Sequence, residues 1–198
     1  MLNLVLIVLC VAAPAPQAGP DVAQLRASIE RILEAPGQSS AARGRDIAAL
    51  GPGVVDAALE VLAARETFWC SGEIRPGEQA LLHALELNVR WDLDHALAAR
   101  ADAGAPLAER GAGLAVLGEI GREDELGLAV ALASPGEGGA IEPLLGAALG
   151  RTLARITLRE PELWPRVAGQ ALSLEGPAQR HALQAFFDAE LPRLGELL

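Results

Sequence analysis

Apolar residues recur at helical spacing along most of the chain, and short joints rich in Gly and Pro separate the segments that carry them. From Asp21, a capping residue, Val22, Leu25, Ile29, Ile32 and Leu33 form one stripe, which Pro36-Gly37 ends. Ser39 or Ser40 can cap a second helix running to Leu50. After Gly51-Pro52-Gly53, the positions Val54, Val55, Ala58, Leu59 and Leu62 predict a third helix, and these two are expected to form the first antiparallel pair. Residues 67–72 read as a loop that Phe68 and Trp69 fold back onto the core. Pro76-Gly77 then precedes a helix with Leu81, Leu82, Leu85 and Val89 on one face, and Trp91-Asp92 opens a shorter one, with Asp92 as its cap.

In 107–133, Leu107, Leu114, Leu117 and Ile120 come before the turn at Gly121, and Leu126, Leu128, Val130 and Leu132 come after it. That second run is so apolar that neighbours should enclose it on most sides. The most regular stripe is Ile141, Leu144, Leu145, Ala148, Leu149, Thr152, Leu153 and Ile156, which predicts a long core helix. Pro161 and Pro165 bracket Leu163-Trp164, and Gly176-Pro177 stops the next helix. Leu183, Phe186, Phe187, Leu191, Leu194, Leu197 and Leu198 supply the last apolar faces.

Four joints share a form: Leu50-Gly51-Pro52-Gly53, Ile120-Gly121-Arg122-Glu123-Asp124, Arg159-Glu160-Pro161-Glu162 and Ala189-Glu190-Leu191-Pro192. With a weaker fifth at Arg90-Trp91-Asp92, their spacing is roughly 30 to 40 residues, the range of stacked helix pairs. The expected fold is therefore all-α, an α-solenoid of antiparallel helix pairs. Such a stack should curve slightly, with an inner face lined by the segments that begin near Val54, Asp92, Glu125 and Leu163.

The run Arg110-Gly111-Ala112 leading to Val116-Leu117-Gly118-Glu119-Ile120-Gly121, followed by Leu126 to Leu132, resembles HEAT-like repeats. The nearest kind is the short bacterial one first named from phycobilisome lyases, and Ala48-Ala49-Leu50-Gly51-Pro52-Gly53-Val54-Val55 resembles it more loosely. The likeness covers about half of residues 19–198. It implies paired helices with an interaction role and carries over no catalytic residue, so lyase activity does not follow from it.

Composition agrees with a helical core of small and γ-branched side chains: hydrophobic residues make up 51%, aromatic residues 3%, and Tyr is absent. All basic residues are Arg. The formal net charge of −10, with Arg dispersed among more numerous Asp and Glu, makes nucleic acid a poor partner. The nearest basic row, Arg151, Arg155 and Arg159, is spaced four apart and is expected to be the solvated face of the long core helix.

Residues 1–18 have the layout of a secretory signal. An apolar stretch from Leu2 to Ala13 is broken by Pro14 and Pro16, and small residues surround Ala13, Ala15 and Ala18. Cleavage after Ala18 would leave 19–198 as a single helical repeat domain in the periplasm or secreted. The run is short for a membrane span, although an uncleaved anchor stays open. Lipidation at Cys10 is also open, against which Leu9 stands where a lipobox resembling the usual pattern has Gly, Ala or Ser.

Chemistry-bearing residues are few. Asp92, Asp94 and His95 form the one local cluster, with His83 on the preceding helix, and Asp92 and His95 share a face. Cys70 with His83 is the only conceivable thiol dyad, and no phosphate loop, dinucleotide fingerprint or paired zinc motif is present. The favoured expectation is an exported, non-catalytic scaffold or adaptor that binds a protein partner through a solenoid face, with no cofactor, no metal and no catalytic residue. The alternative is an enzyme or a cofactor- or metal-binding protein that uses the Cys70 loop and the His83/His95 hairpin.

Overall fold

The computed structural model describes residues 21–102, 104–134 and 142–173. The expected leader, Ile141, the Gly176-Pro177 stop and the apolar stripe from Leu183 onward lie outside the described residues, so their readings stay as expectations. Among the described residues the chain forms ten α-helices and no strand. These are α1 (Val22–Glu34), α2 (Ser40–Ala48), α3 (Val54–Ala63), α4 (Glu66–Ser71), α5 (Pro76–Leu87), α6 (Arg90–Arg100), α7 (Leu107–Ile120), α8 (Leu126–Ala133), α9 (Pro143–Arg159) and α10 (Trp164–Ser173). Single turns of 3₁₀ helix at Glu123–Glu125 and Pro161–Leu163 lead into α8 and α10.

The helix starts follow local chemistry. The Asp21 carboxylate accepts a hydrogen bond from the Ala23 amide at 3.2 Å, and the Ser39 hydroxyl accepts one from the Ala42 amide at 3.2 Å; each satisfies a donor that a helix start leaves unpaired. Ser40 has a different task. Its hydroxyl donates to the Pro76 carbonyl at 2.9 Å and ties α2 to the start of α5. Asp92 does not cap α6: Val89 holds that position without a side-chain bond, and Asp92 lies within the first turn, where its charge favours the positive helix end.

Residues 67–71 are helix rather than loop. α4 is closed by Gly72 at φ +74°, the left-handed conformation glycine adopts without strain. Phe68 and Trp69 are buried as expected, and the Trp69 indole donates to the Ala63 carbonyl at 3.1 Å. A six-residue helix spans less than two turns, too few for a helical period to register in the sequence.

One apolar cluster runs from Leu25 on α1 to Val167 on α10. At its centre is α7, which touches α3, α4, α5, α6, α8 and α9 and is buried continuously from Arg110 to Gly118. Glycine makes that enclosure possible. A Cβ at Gly111 would stand 2.5 Å from Cε3 of Trp69, and one at Gly113 would stand 3.1 Å from the side chains of Leu132 and Leu97. Gly111→Ala is therefore expected to overpack the α4–α7 contact and lower stability by about 1 to 3 kcal/mol, read as a lowered midpoint in urea unfolding. An unchanged midpoint would mean that Trp69 moves aside freely.

Several packing expectations are corrected. α2 packs chiefly on α5, where a Cβ at Gly44 would come within 2.8 Å of the Ala80 carbonyl oxygen, whereas α3 packs on α1 and α7. The α2–α3 pair expected from the Gly51-Pro52-Gly53 joint is thus not a principal contact. α3 is also mostly buried from Val54 to Leu62, and only its start, at Asp56, opens onto a cleft. The apolar run in α8 is only partly enclosed: Leu126, Ala129, Leu132 and Ala133 are buried, while Leu128 and Val130 are half-buried. In the α9 stripe every described position is buried except Leu144.

Candidate functional site

The row Arg151, Arg155 and Arg159 is only in part a solvated face: Arg159 is exposed, whereas Arg151 and Arg155 are half-buried, and all three bond neighbouring carbonyls. Arg151 Nη2 donates to the Trp69 carbonyl at 2.8 Å, Arg155 Nη2 to the Gly72 carbonyl at 2.9 Å, and Arg159 Nη2 to the Gly121 carbonyl at 2.8 Å. Arg159 also bonds the Gly118 carbonyl, and Arg155 pairs with Glu119. α9 thus uses its arginines to satisfy the carbonyls that the ends of α4 and α7 leave unpaired. Arg110 does the same for α8 by donating to the carbonyls of Leu132, at 2.8 Å, and Ser134, and Arg43 for α1 through the Ala35 carbonyl at 2.6 Å. Burial pushes the guanidinium pKa of Arg110, Arg151, Arg155 and Arg159 down from its ordinary value. These side chains hold the fold together and do not form an open basic groove. The four-residue spacing was visible in the sequence; that neighbouring helix ends would meet the row was not.

The structure does not bring Cys70, His83 and His95 together. Cys70 sits on α4, partly buried, and desolvation, with Glu66 next and Arg151 opposing, pushes its thiol pKa up, away from the thiolate a nucleophile requires. His83 lies on α5 beside Gly44, 3.7 Å from the Glu86 carboxylate, in a cleft of about 270 Å³ shared with Ser40 and Glu119. His95 faces a different cleft. Among the described residues, no group of three or more His, Cys, Asp and Glu side chains is placed to hold a metal ion.

The largest of these clefts, about 340 Å³, lies between the Gly51-Pro52-Gly53 turn with the start of α3 on one side and α6 on the other. The turn takes its shape from two left-handed glycines, Gly51 at φ +90° and Gly53 at φ +83°. On the opposite wall the Trp91 and His95 rings stack, one helical turn apart, with centroids 5.3 Å apart and planes within 8°. Trp91 is nevertheless 69% exposed, and Val89 and Leu87 just before it are 65% and 52% exposed. Asp56 and Asp92 supply the carboxylates of the lining. Arg100 reaches Asp56 Oδ1 at 2.8 Å from behind the cleft, with Glu109 3.6 Å from its other side. By residue type Asp92, Asp94 and His95, with His83, stand out in the sequence as candidate metal ligands, whereas Trp91, exposed beside the cleft, does not. Val89, expected on the face of Leu81, Leu82 and Leu85, is instead exposed, because the helix ends at Leu87 and Val89 caps the next one.

Behind α6 lies a second polar cluster. Glu125 is buried, takes both guanidinium arms of Arg90, and accepts from the Arg122 amide at 2.7 Å. Burial pushes its carboxyl pKa up, and neighbouring Asp94 adds to the rise against the opposing pull of Arg90. This cluster fastens α6 to the entry of α8.

No protein-family model, curated protein or solved structure matches the chain. Among the described residues, no helix is long and apolar enough to cross a membrane.

Proposed function

We propose that the protein is an exported, non-catalytic helical-repeat scaffold, of HEAT-like solenoid type, that binds a protein partner. The observation that carries this reading is the grouping of Leu87, Val89 and Trp91, large apolar side chains exposed together at the α5–α6 joint beside an open cleft. Among the described residues large apolar side chains are otherwise mostly buried, with Ile74, Leu144 and Leu158 as isolated exceptions, and a grouped exception beside a cleft is the usual mark of a contact surface. The raised thiol pKa of Cys70, and its separation from both histidine-lined clefts, favour a binding role over thiol chemistry. On this reading, binding lies at this joint and at the start of α3 rather than along the whole of α3, whose apolar side chains are buried.

The test uses the full chain with a photo-crosslinking residue at exposed Glu86 beside the joint, expressed with its leader. Crosslinks should form to one protein of defined size, the secreted form should begin near Gly19, and Leu87→Glu with Val89→Glu should abolish capture. Cys70→Ser and His83→Ala should leave capture intact. Retention of Met1 on a cytosolic product would remove the export part of the reading, and crosslinking unaffected by the paired Glu substitutions would remove the binding surface.

A further inference from the structure

We propose that the cleft between the Gly51-Pro52-Gly53 turn and α6 receives the cationic side chain of a basic and apolar segment of the partner, held against the open face of Trp91 and between the carboxylates of Asp92 and Asp56. This rests on the protein-binding reading above and names the chemistry of what binds.

Three observations point to a cation. The His95 ring holds one face of the Trp91 indole in a parallel stack, so the ring is fixed while its other face stays open to solvent. An indole face attracts cations through its quadrupole, most strongly among aromatic side chains. Asp92, adjacent to that indole, makes no ion pair among the described residues, and the Asp56 side chain remains 51% exposed although Arg100 engages one of its oxygens. The Arg100 guanidinium is itself tucked away at 9% exposure between Asp56 and Glu109, so the charge the lining presents to solvent is negative.

Size and surroundings point to a side chain on a peptide rather than a free ion. At about 340 Å³ the cleft is far larger than a small cation needs and accommodates a long arginine or lysine side chain with part of its backbone. Val89 and Leu87 continue the surface outward along the α5–α6 joint, where an apolar neighbour of the inserted residue would lie. The net charge of −10 draws a basic segment toward the protein as a whole, and the cleft gives it a specific seat.

The experiment titrates the full chain with a fluorescein-labelled peptide of alternating Arg and Leu. A Glu-Leu peptide and tetramethylammonium chloride serve as controls. The Arg-Leu peptide should bind saturably and more weakly as salt rises. Trp91→Ala and Asp92→Asn should each weaken it about tenfold or more, and Trp91→Phe should keep most of the affinity. Asp124→Asn, an exposed acid in the 3₁₀ turn outside the cleft, should change nothing. Because Trp91 is exposed, its variants should retain the wild-type unfolding midpoint; Asp92→Asn should lower it only slightly by losing a favourable charge at the start of α6, and circular dichroism checks that all stay folded. Three results would each overturn the proposal: no saturable binding, equal weakening by Asp124→Asn and Asp92→Asn, or tetramethylammonium binding as tightly as the peptide. If any of these occurs while crosslinking at Glu86 still depends on Leu87 and Val89, the cationic seat is wrong and the scaffold stands. Loss of both removes the scaffold as well.

Discussion

Leu149→Ala and Leu145→Ala should each lower the unfolding free energy by about 2 to 5 kcal/mol. Both side chains are buried, at 0% and 1% exposure, on the helix that packs against the central α7. Truncation removes apolar contact and leaves a cavity that close-packed neighbours fill only in part. Relaxation is limited on this face because α9 is pinned to its surroundings by polar bonds: the Thr152 hydroxyl donates to the Leu114 carbonyl at 2.7 Å, and the arginine row is fixed on the ends of α4 and α7. Cys70→Ala should matter far less, because the thiol is small, lies at the edge of the core and has only partial burial. Urea titrations of the three variants with slope held constant measure the order. Should Cys70→Ala prove the most damaging, α4 rather than the α7–α9 contact would be the weak point of the core.

How much of this was legible in the sequence depended on how locally each feature is determined. The α9 stripe from Leu145 to Ile156 was readable because seventeen residues give nearly five turns of one period, and the caps at Asp21 and Ser39 were readable because a cap is decided by its own side chain and the next three amides. α4 was hidden by its length. The α2–α3 pairing was misjudged because a tight joint fixes where the chain turns and not which face finds the deepest contact; Gly44 lets α5 approach α2 more closely than α3 does. The charge row on α9 has the spacing of a solvated face, and nothing local distinguishes it from a row that meets foreign carbonyls. The candidate cleft follows the same logic. Asp92 and His95 stood out by residue type, but the meaning of Trp91 depends on the Gly51-Pro52-Gly53 turn, some forty residues away, coming opposite it.

Arg90→Ala is expected to lower stability at neutral pH by about 3 to 5 kcal/mol, a larger loss than for an exposed ion pair, because it strands a buried carboxylate. The Glu125 side chain is only 5% exposed, and with Arg90 gone its remaining strong donor is the Arg122 amide at 2.7 Å. The signature that separates this from lost packing is its pH dependence. In the wild type the folded-state pKa of Glu125 is raised above the ordinary 4.5, so between 4.5 and that raised value the folded chain binds more protons than the unfolded one. The stability this group contributes is then fully present below 4.5 and declines as pH rises through the folded-state pKa. Removing the Arg90 cation, which pulls that pKa down, must raise it further and widen the window. The damage from Arg90→Ala should therefore be smaller at about pH 5 than at about pH 7, and Arg90→Ala with Glu125→Gln should recover much of the loss at neutral pH, because a neutral amide is less penalised by burial than a charge. Glu73 does not confound the comparison. It is exposed, and its hydrogen bond to Arg75 lowers its carboxyl pKa, so its contribution is lost only as pH falls below 4.5. Thermal unfolding of the wild type, the single variant and the double variant across that range decides the matter. A loss equal at both pH values, unrelieved by the second substitution, would assign the Arg90 contribution to the packing of its aliphatic stem and leave the Glu125 charge without a part in joining α6 to α8.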